Sequence, residues 1–366
     1  MKIECVQDKL RLILSQSEKI AGKNLSLPVL SCLYIIAEKG QLTIRATNLD
    51  IGFQGSISAK VDEEGVAAVP ANVLSSFISN IPSEKSIKLV SDGSTFSVTS
   101  LQNRTTIKCL PHDDFPTIPE PPQSQGFEIE AKEFVKGLKA VWYSSSISSI
   151  KPELASVYVY SDDSDIVFVA TDSFRLAEKR IKTKSRKEFD RVLIPFKNIS
   201  EIIRVLEQAP SIVTVYLNKN QIAFTFGDTR LTSRVIDGTF PDYRQIIPKE
   251  FRTEAVVLKE DLAQSLKIAN IFSDTFNQVS LFISPKEKRF ELTTKNNSLG
   301  ENTSLLAGAL SGEQAESSFN YRYINDCMQS IASDSVSLSL AGAGRPVVIR
   351  GVSDKSFTYL VMPMNR

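Results

Sequence analysis

Three stretches of this chain open alike and stand at equal distances. Val69-Pro70-Ala71-Asn72-Val73-Leu74, Ile194-Pro195-Phe196-Lys197-Asn198-Ile199 and Phe319-Asn320-Tyr321-Arg322-Tyr323-Ile324 begin 125 residues apart in both intervals. Each reads as the end of a strand running into a helix. Pro70 and Pro195 suit a helix entry, where a missing N–H leaves nothing unsatisfied. A fixed period of this kind confines the chain to copies of one supersecondary unit.

The rest of each period agrees. Ile3 to Leu10 leads on to Leu14, Phe127 to Glu130 leads to Phe134 and Leu138, and Ala255 to Leu258 leads to Leu262 and Leu266. A short strand comes first, then an apolar step of four that marks one helix face. Asp8, Lys132 and Asp261 fall near the expected helix starts, and an Asp there suits the positive end of the helix dipole. Alternating runs fill the remainder, as at 42–46, 95–99, 166–170, 221–226, 290–293 and 336–340. Period two marks half-buried strands. The expected fold class is α+β: three repeated domains, each with antiparallel sheets and two helices. The expected boundaries are 1–122, 123–249 and 250–366. The first falls in the proline-rich Pro116-Thr117-Ile118-Pro119-Glu120-Pro121-Pro122, which reads as a linker.

Other function classes lose their material. The chain of 366 residues has one histidine, His112, and four scattered cysteines. A metal centre built on imidazoles needs more than one, and a Ser-His-Asp arrangement would have to use His112, which sits in a loop-like stretch. Neither GxxxxGK[ST] nor GxGxxG occurs, so no phosphate loop is expected. No catalytic residue, metal site or cofactor is assigned. No apolar run approaches the roughly 20 residues that cross a bilayer. With unpaired thiols and no secretion-type leader, a cytoplasmic location is expected. The net charge of +1 decides nothing about nucleic acid, because the distribution of charge matters more.

Two features invite a functional reading. Val169 to Ala177, VATDSFRLA, ends an apolar strand on a turn that presents Phe174, Arg175 and Leu176 together. It is either an ordinary turn with one ring folded inward or one wall of a peptide groove. The helices carry cations: Lys132, Lys136 and Lys139 share a face by their spacing, and Lys197 and Arg204 lie on a later helix. They form either a solvated face or part of a surface that tracks phosphates.

Taken with LPVL (27–30), ATDSFRLA (170–177), IDGTFPDYR (236–244) and VMPM (361–364), the whole chain resembles the bacterial β sliding clamps. The resemblance implies a head-to-tail homodimeric ring of six similar domains with helices around duplex DNA. It implies no enzymatic activity: the ring confers processivity by topology, and a separate loader opens it. The implied partners are the replicative polymerase α subunit, the clamp-loader δ subunit, translesion polymerases, mismatch-repair proteins and ligase, met at replication forks on the nucleoid. Matched residue by residue, the implied docking groove takes Leu154, Thr171, Ser173, Phe174, Arg175 and Leu176 from the middle repeat. Pro241, Gln245 and Ile246 come from the loop that follows it. Asn320, Tyr323, Pro346, Met362, Pro363 and Met364 come from the last repeat and the tail. Leu154, Leu176 and Pro241 are expected to form an apolar slot, and Arg175, Asn320 and Tyr323 to orient a polar group of the peptide. Implied DNA contacts include Lys23, Asn24 and Ser148 beside the helix cations. Ser173-Phe174 replaces the Gly-His common in the family, which implies a more apolar and narrower side to the groove. Gln245 replaces a frequent cation, and Asn365 precedes the terminal Arg366.

Two other classes can be built from the same residues. Asp172 with Arg175, or Asp242 with Arg244, could belong to a hydrolytic site, which would need a second group around a substrate. A repeat scaffold without DNA is the other.

Overall fold

Each four-residue apolar step becomes a helix with that step turned inward. The protein, a computed structural model, is described over residues 1–22, 26–120, 126–183 and 189–364. Its α-helices there are α1 (Gln7–Ser17), α2 (Ala71–Asn80), α3 (Ala131–Val141), α4 (Phe196–Leu206), α5 (Lys259–Ile271) and α6 (Tyr321–Cys327). Leu10 and Leu14, Phe134 and Leu138, and Leu262 and Leu266 are all buried. Asp8 lies in the first turn of α1, and Glu260 and Asp261 in that of α5. In α3, Gly137 is the point of closest packing: a Cβ there would stand 2.3 Å from Cε2 of Phe168. The glycine lets the helix lie directly on that ring, at a cost in helix propensity of about 1 kcal/mol.

The strands repeat as the helices do. Each repeat carries a four-stranded antiparallel sheet in the order fourth, first, second, third. In the first repeat these are Gly65–Pro70, Cys32–Glu38, Gln41–Thr47 and Ile51–Glu63. In the second they are Val192–Pro195, Ser156–Asp162, Asp165–Thr171 and Arg175–Lys182. In the third they are Ala315–Asn320, Gln278–Ser284, Arg289–Asn296 and Gly300–Leu305. A second set in each repeat continues from the opening strand through three later ones in succession, as Lys2–Cys5 pairs with Ile87–Ser91, that with Thr95–Thr99, and that with Arg104–Lys108.

Neighbouring repeats share sheets. The last strand of the second repeat, Thr229–Arg234, runs antiparallel to Ile51–Glu63 of the first, with Leu231 opposite Phe53. The last strand of the third, Phe357–Val361, does the same to Arg175–Lys182, with Tyr359 opposite Ala177. The described chain accordingly divides into two compact units: Met1–Val135 with Lys197–Val235, and Lys136–Phe196 with Ile236–Arg366. Strands of the middle third are distributed between them.

In the first unit, Leu27, Val29, Cys32, Ala68, Leu110 and Phe115 pack together; of the LPVL stretch, Val29 and Leu30 are core, Leu27 is half-buried and Pro28 is exposed. Ile118, from the proline-rich segment, is buried and reaches Gly52, where a Cβ would meet its Cγ2 at 2.8 Å. That part of the segment is packed rather than a free linker; Pro121 and Pro122 lie outside the described residues.

Candidate peptide-docking site

The expected groove residues all belong to the second unit. Its core holds Val167, Val169, Leu176, Leu193, Phe240, Tyr243, Val348 and Leu360, with Met362 and Ile247 packed on it. Leu176 pairs with Thr171 and shares that face of the strand pair with Val167 and Val169, where Leu193, Phe240, Tyr243 and Val348 pack with it; Ala170 and Ala177 pair on the other face, which is buried as well.

The turn between those strands is built by side chains. The Thr171 hydroxyl donates to the Arg175 carbonyl at 2.6 Å and accepts from the Ser173 amide at 3.2 Å. Asp172 Oδ1 accepts from the amides of Phe174 and Arg175 at 2.9 and 3.0 Å. Ser173 takes φ +80°, a left-handed conformation that costs a non-glycine residue and persists because the surroundings fix it. Phe174 is left 60% exposed. Its carbonyl accepts from the Met362 amide at 2.8 Å, and the Met364 amide donates to Ser318 at 2.8 Å. The tail is thereby strapped between the turn and the edge strand of the four-stranded sheet.

The expected lining separates into two layers. Ser173, Phe174, Pro241, Gln245 and Ile246 are exposed, and Asn320, Tyr323, Met362, Pro363 and Met364 are half-buried. Leu154, Thr171, Leu176 and Pro346 are buried, so the slot expected from Leu154, Leu176 and Pro241 needs correction. In this structure Leu176 is wholly enclosed, and the apolar atoms on offer belong to Phe174, Pro241, Ile246 and the tail.

Arg175 also departs from expectation. Its side chain is 11% exposed and turned to internal partners. Nε donates to Asp172 Oδ2 at 2.9 Å, Nη1 to Asp326 Oδ2 at 2.6 Å and Nη2 to the Tyr143 carbonyl at 2.6 Å. The Tyr323 ring lies over the guanidinium, 4.5 Å from centroid to carbon. Asn320 caps α6 by accepting from the Arg322 amide at 3.0 Å. The polar atoms of Arg175 and the Asn320 side-chain oxygen are thus engaged in bonds within the chain.

A polar network that sequence reading passed over fixes the loop bearing Pro241, Gln245 and Ile246. Tyr243 donates to Glu178 and shares a hydrogen bond of 2.7 Å with Tyr160. Arg244 donates to Tyr160 at 2.8 Å and to Asp162 at 2.9 Å, and Arg180 donates to Asp162 at 2.8 Å. The Arg180 hydrogen bond holds the Asp162 carboxyl below the usual carboxylate range, against the opposing effect of burial. Asp242 accepts from Gln245 at 2.7 Å. The quoted FPDYR stretch carried the signal, since a buried tyrosine hydroxyl needs a partner.

The expected DNA residues are spread out. Lys132, Lys136 and Lys139 are exposed along one face of α3, and Ser148 is exposed in a loop. Lys197 is paired with Asp50. Arg204 folds back on Glu201 and on the carbonyls of Ser15 and Gln16, which turns it away from a phosphate-binding role in this conformation. Lys23 and Asn24 lie outside the described residues. Burial pushes the thiols of Cys5 and Cys32 up to about 12 and about 11, far from a reactive thiolate. Among the described residues no cluster of His, Cys, Asp and Glu could hold a metal ion, and no helix is long and apolar enough to cross a membrane.

Comparison with known proteins agrees along the whole length. Family profiles for the N-terminal, central and C-terminal domains of the DNA polymerase III beta subunit match residues 1–119, 128–242 and 244–365. The beta sliding clamp of Synechococcus elongatus is 27% identical over 372 residues, covering 100% of this chain and 99% of its own. That of Escherichia coli is 25% identical over 369 residues, covering 100% of both. The crystal structure of the DNA polymerase III beta subunit from Thermotoga maritima shares the fold with a TM-score of 0.94 at 23% identity, over 100% of this chain and 99% of that one. With three successive domain profiles matched in order, the chain belongs to the DNA polymerase III beta subunit family, the beta sliding clamps.

Proposed function

We propose that this chain is a non-catalytic sliding clamp, made of three domains at 1–122, 123–249 and 250–366, two copies of which close head to tail around duplex DNA. The observation that carries the reading is a pairing used twice within the chain and left open at its two ends. Phe53 and Ala177 stand beside Ala46 and Ala170 in their sheets, and Asn302 stands likewise beside Thr294. Leu231 and Tyr359 stand beside Phe224 and Ile349, and Thr105 likewise beside Val98. Phe53 meets Leu231 and Ala177 meets Tyr359, so the same register would set Asn302 of one copy opposite Thr105 of another. Gly300–Leu305 and Arg104–Lys108 are terminal strands of their sheets. An open edge invites another chain, and a heterologous contact that closes makes a ring. In this register Glu301 lies opposite Thr106 and diagonal to Arg104 and Lys108, a favourable cross-strand arrangement of charges.

The docking site would hold short extended segments of the polymerase α subunit, the loader δ subunit and translesion, mismatch-repair and ligase proteins, at replication forks on the nucleoid. A tethered polymerase that lets go rebinds at raised effective concentration. Adaptable Met362 and Met364 suit several clients at one site. The test is a double variant, Thr105→Cys with Asn302→Cys, oxidised under native conditions. The expected product is a covalent closed dimer on a non-reducing gel. Only monomer, at concentrations where the protein sediments as a dimer, would contradict the register.

A further inference from the structure

The guanidinium of Arg175 joins two elements that are far apart in sequence. On one side Asp172 divides its oxygens: Oδ1 holds the Phe174 and Arg175 amides, and Oδ2 holds Arg175 Nε. On the other side Asp326 Oδ2 takes Nη1 at 2.6 Å. Asp326 follows Tyr323 by three residues on α6, so both lie on one helix face. The guanidinium sits between the carboxylate and the Tyr323 ring. Its third nitrogen is tied to the Tyr143 carbonyl, and the Tyr143 hydroxyl bonds to Ser330 at 3.0 Å. The turn carrying Phe174 and the helix carrying Asn320 and Tyr323 are the two sides of the docking site, and this ion-paired group spans them.

We propose that Asp326 is a positioning residue of the docking site. It touches no peptide; it pins Arg175, which holds the Phe174 turn and Tyr323 at the spacing an extended peptide requires. The Asp326 side chain is 37% exposed and the Arg175 side chain 11%, so the carboxylate is the accessible end of the pin. Charge-assisted hydrogen bonds are shorter and stronger than neutral ones. A site assembled beforehand loses less freedom on binding, which raises affinity without adding a contact. This inference rests on the peptide-docking reading above.

The test is fluorescence titration of a labelled peptide, taken from the polymerase partner proposed above, into full-length Asp326→Asn, Asp326→Glu and Arg175→Met proteins. Asp326→Asn is expected to weaken binding about tenfold, Asp326→Glu to restore it to within about threefold, and Asp326→Asn to add nothing in an Arg175→Met background. Wild-type affinity in Asp326→Asn, or additive losses in the double variant, overturns the proposal. A second readout is independent of peptide. The chain has four methionines, so methyl-labelled methionine gives a sparse spectrum in which Met362, strapped to Phe174, should shift in Asp326→Asn and return in Asp326→Glu. An unmoved Met362 signal refutes the pin. If the wild-type protein binds no such peptide while Met362 responds, the docking reading fails and the pin stands.

Discussion

At the scale of single residues, close approach matters as much as chemistry. Gly137 illustrates it. Replacement by Ala adds helix propensity worth about 1 kcal/mol, but the new methyl group would stand 2.3 Å from the Phe168 ring. Overpacking wins: Gly137→Ala is expected to destabilise the protein by about 1–3 kcal/mol in urea unfolding, and a gain in stability would contradict the packing. The sequence shows a glycine in a helical stripe without showing what lies against it. Arg175 has the same limit. Its place at a strand end beside Phe174 and Leu176 was legible, but Asp326, its partner 151 residues away, was not. In the fold its guanidinium bonds go to Asp172, Asp326 and the Tyr143 carbonyl. Leu176 was assigned to the surface, and it shares its strand face with Glu178 and Arg180, but Phe240, Tyr243 and Val348 pack with it there and bury it.

At the scale of elements, periodicity carried most of the information. Apolar steps of four gave the helices, and alternation gave most strands. Ile51–Glu63 escaped although Ile51, Phe53, Ile57, Ala59 and Val61 alternate, because Gly52 and Gly55 interrupt the pattern. The interruption has a cause: a Cβ on Gly55 would meet Ile13 of α1 at 2.8 Å, so the glycine marks a close approach of strand and helix. The loop from Pro241 to Ile246 depends on Asp162, which takes bonds from Arg180 and Arg244. Its carboxyl is held low in the fold. A depressed folded value gives stability that is present above the unfolded carboxylate value near pH 4 and lost as pH falls through the folded one. Asp162→Asn should therefore be less stable than wild type in urea at neutral pH and converge with it in acid. A gap that persists below both values would assign the loss to packing.

At the scale of the whole molecule, the equal spacing of Val69, Ile194 and Phe319 already contained the architecture. Three copies that share sheets at two junctions leave one terminal strand of each kind among the described residues, and in the proposed ring a second copy supplies both partners. Retention on DNA would then come from topology, with a modest electrostatic grip: Arg204 is turned to internal contacts, while Lys132, Lys136, Lys139 and Lys197 have exposed side chains. Phosphate contacts weaken steeply with salt, whereas a closed ring does not depend on them. The decisive measurement is the lifetime of loaded protein on one plasmid, kept circular or cut once, at salt that strips phosphate-bound proteins. The account predicts long retention on the circle and rapid loss from the cut ends of the linear form. Equal and rapid loss from both would contradict it.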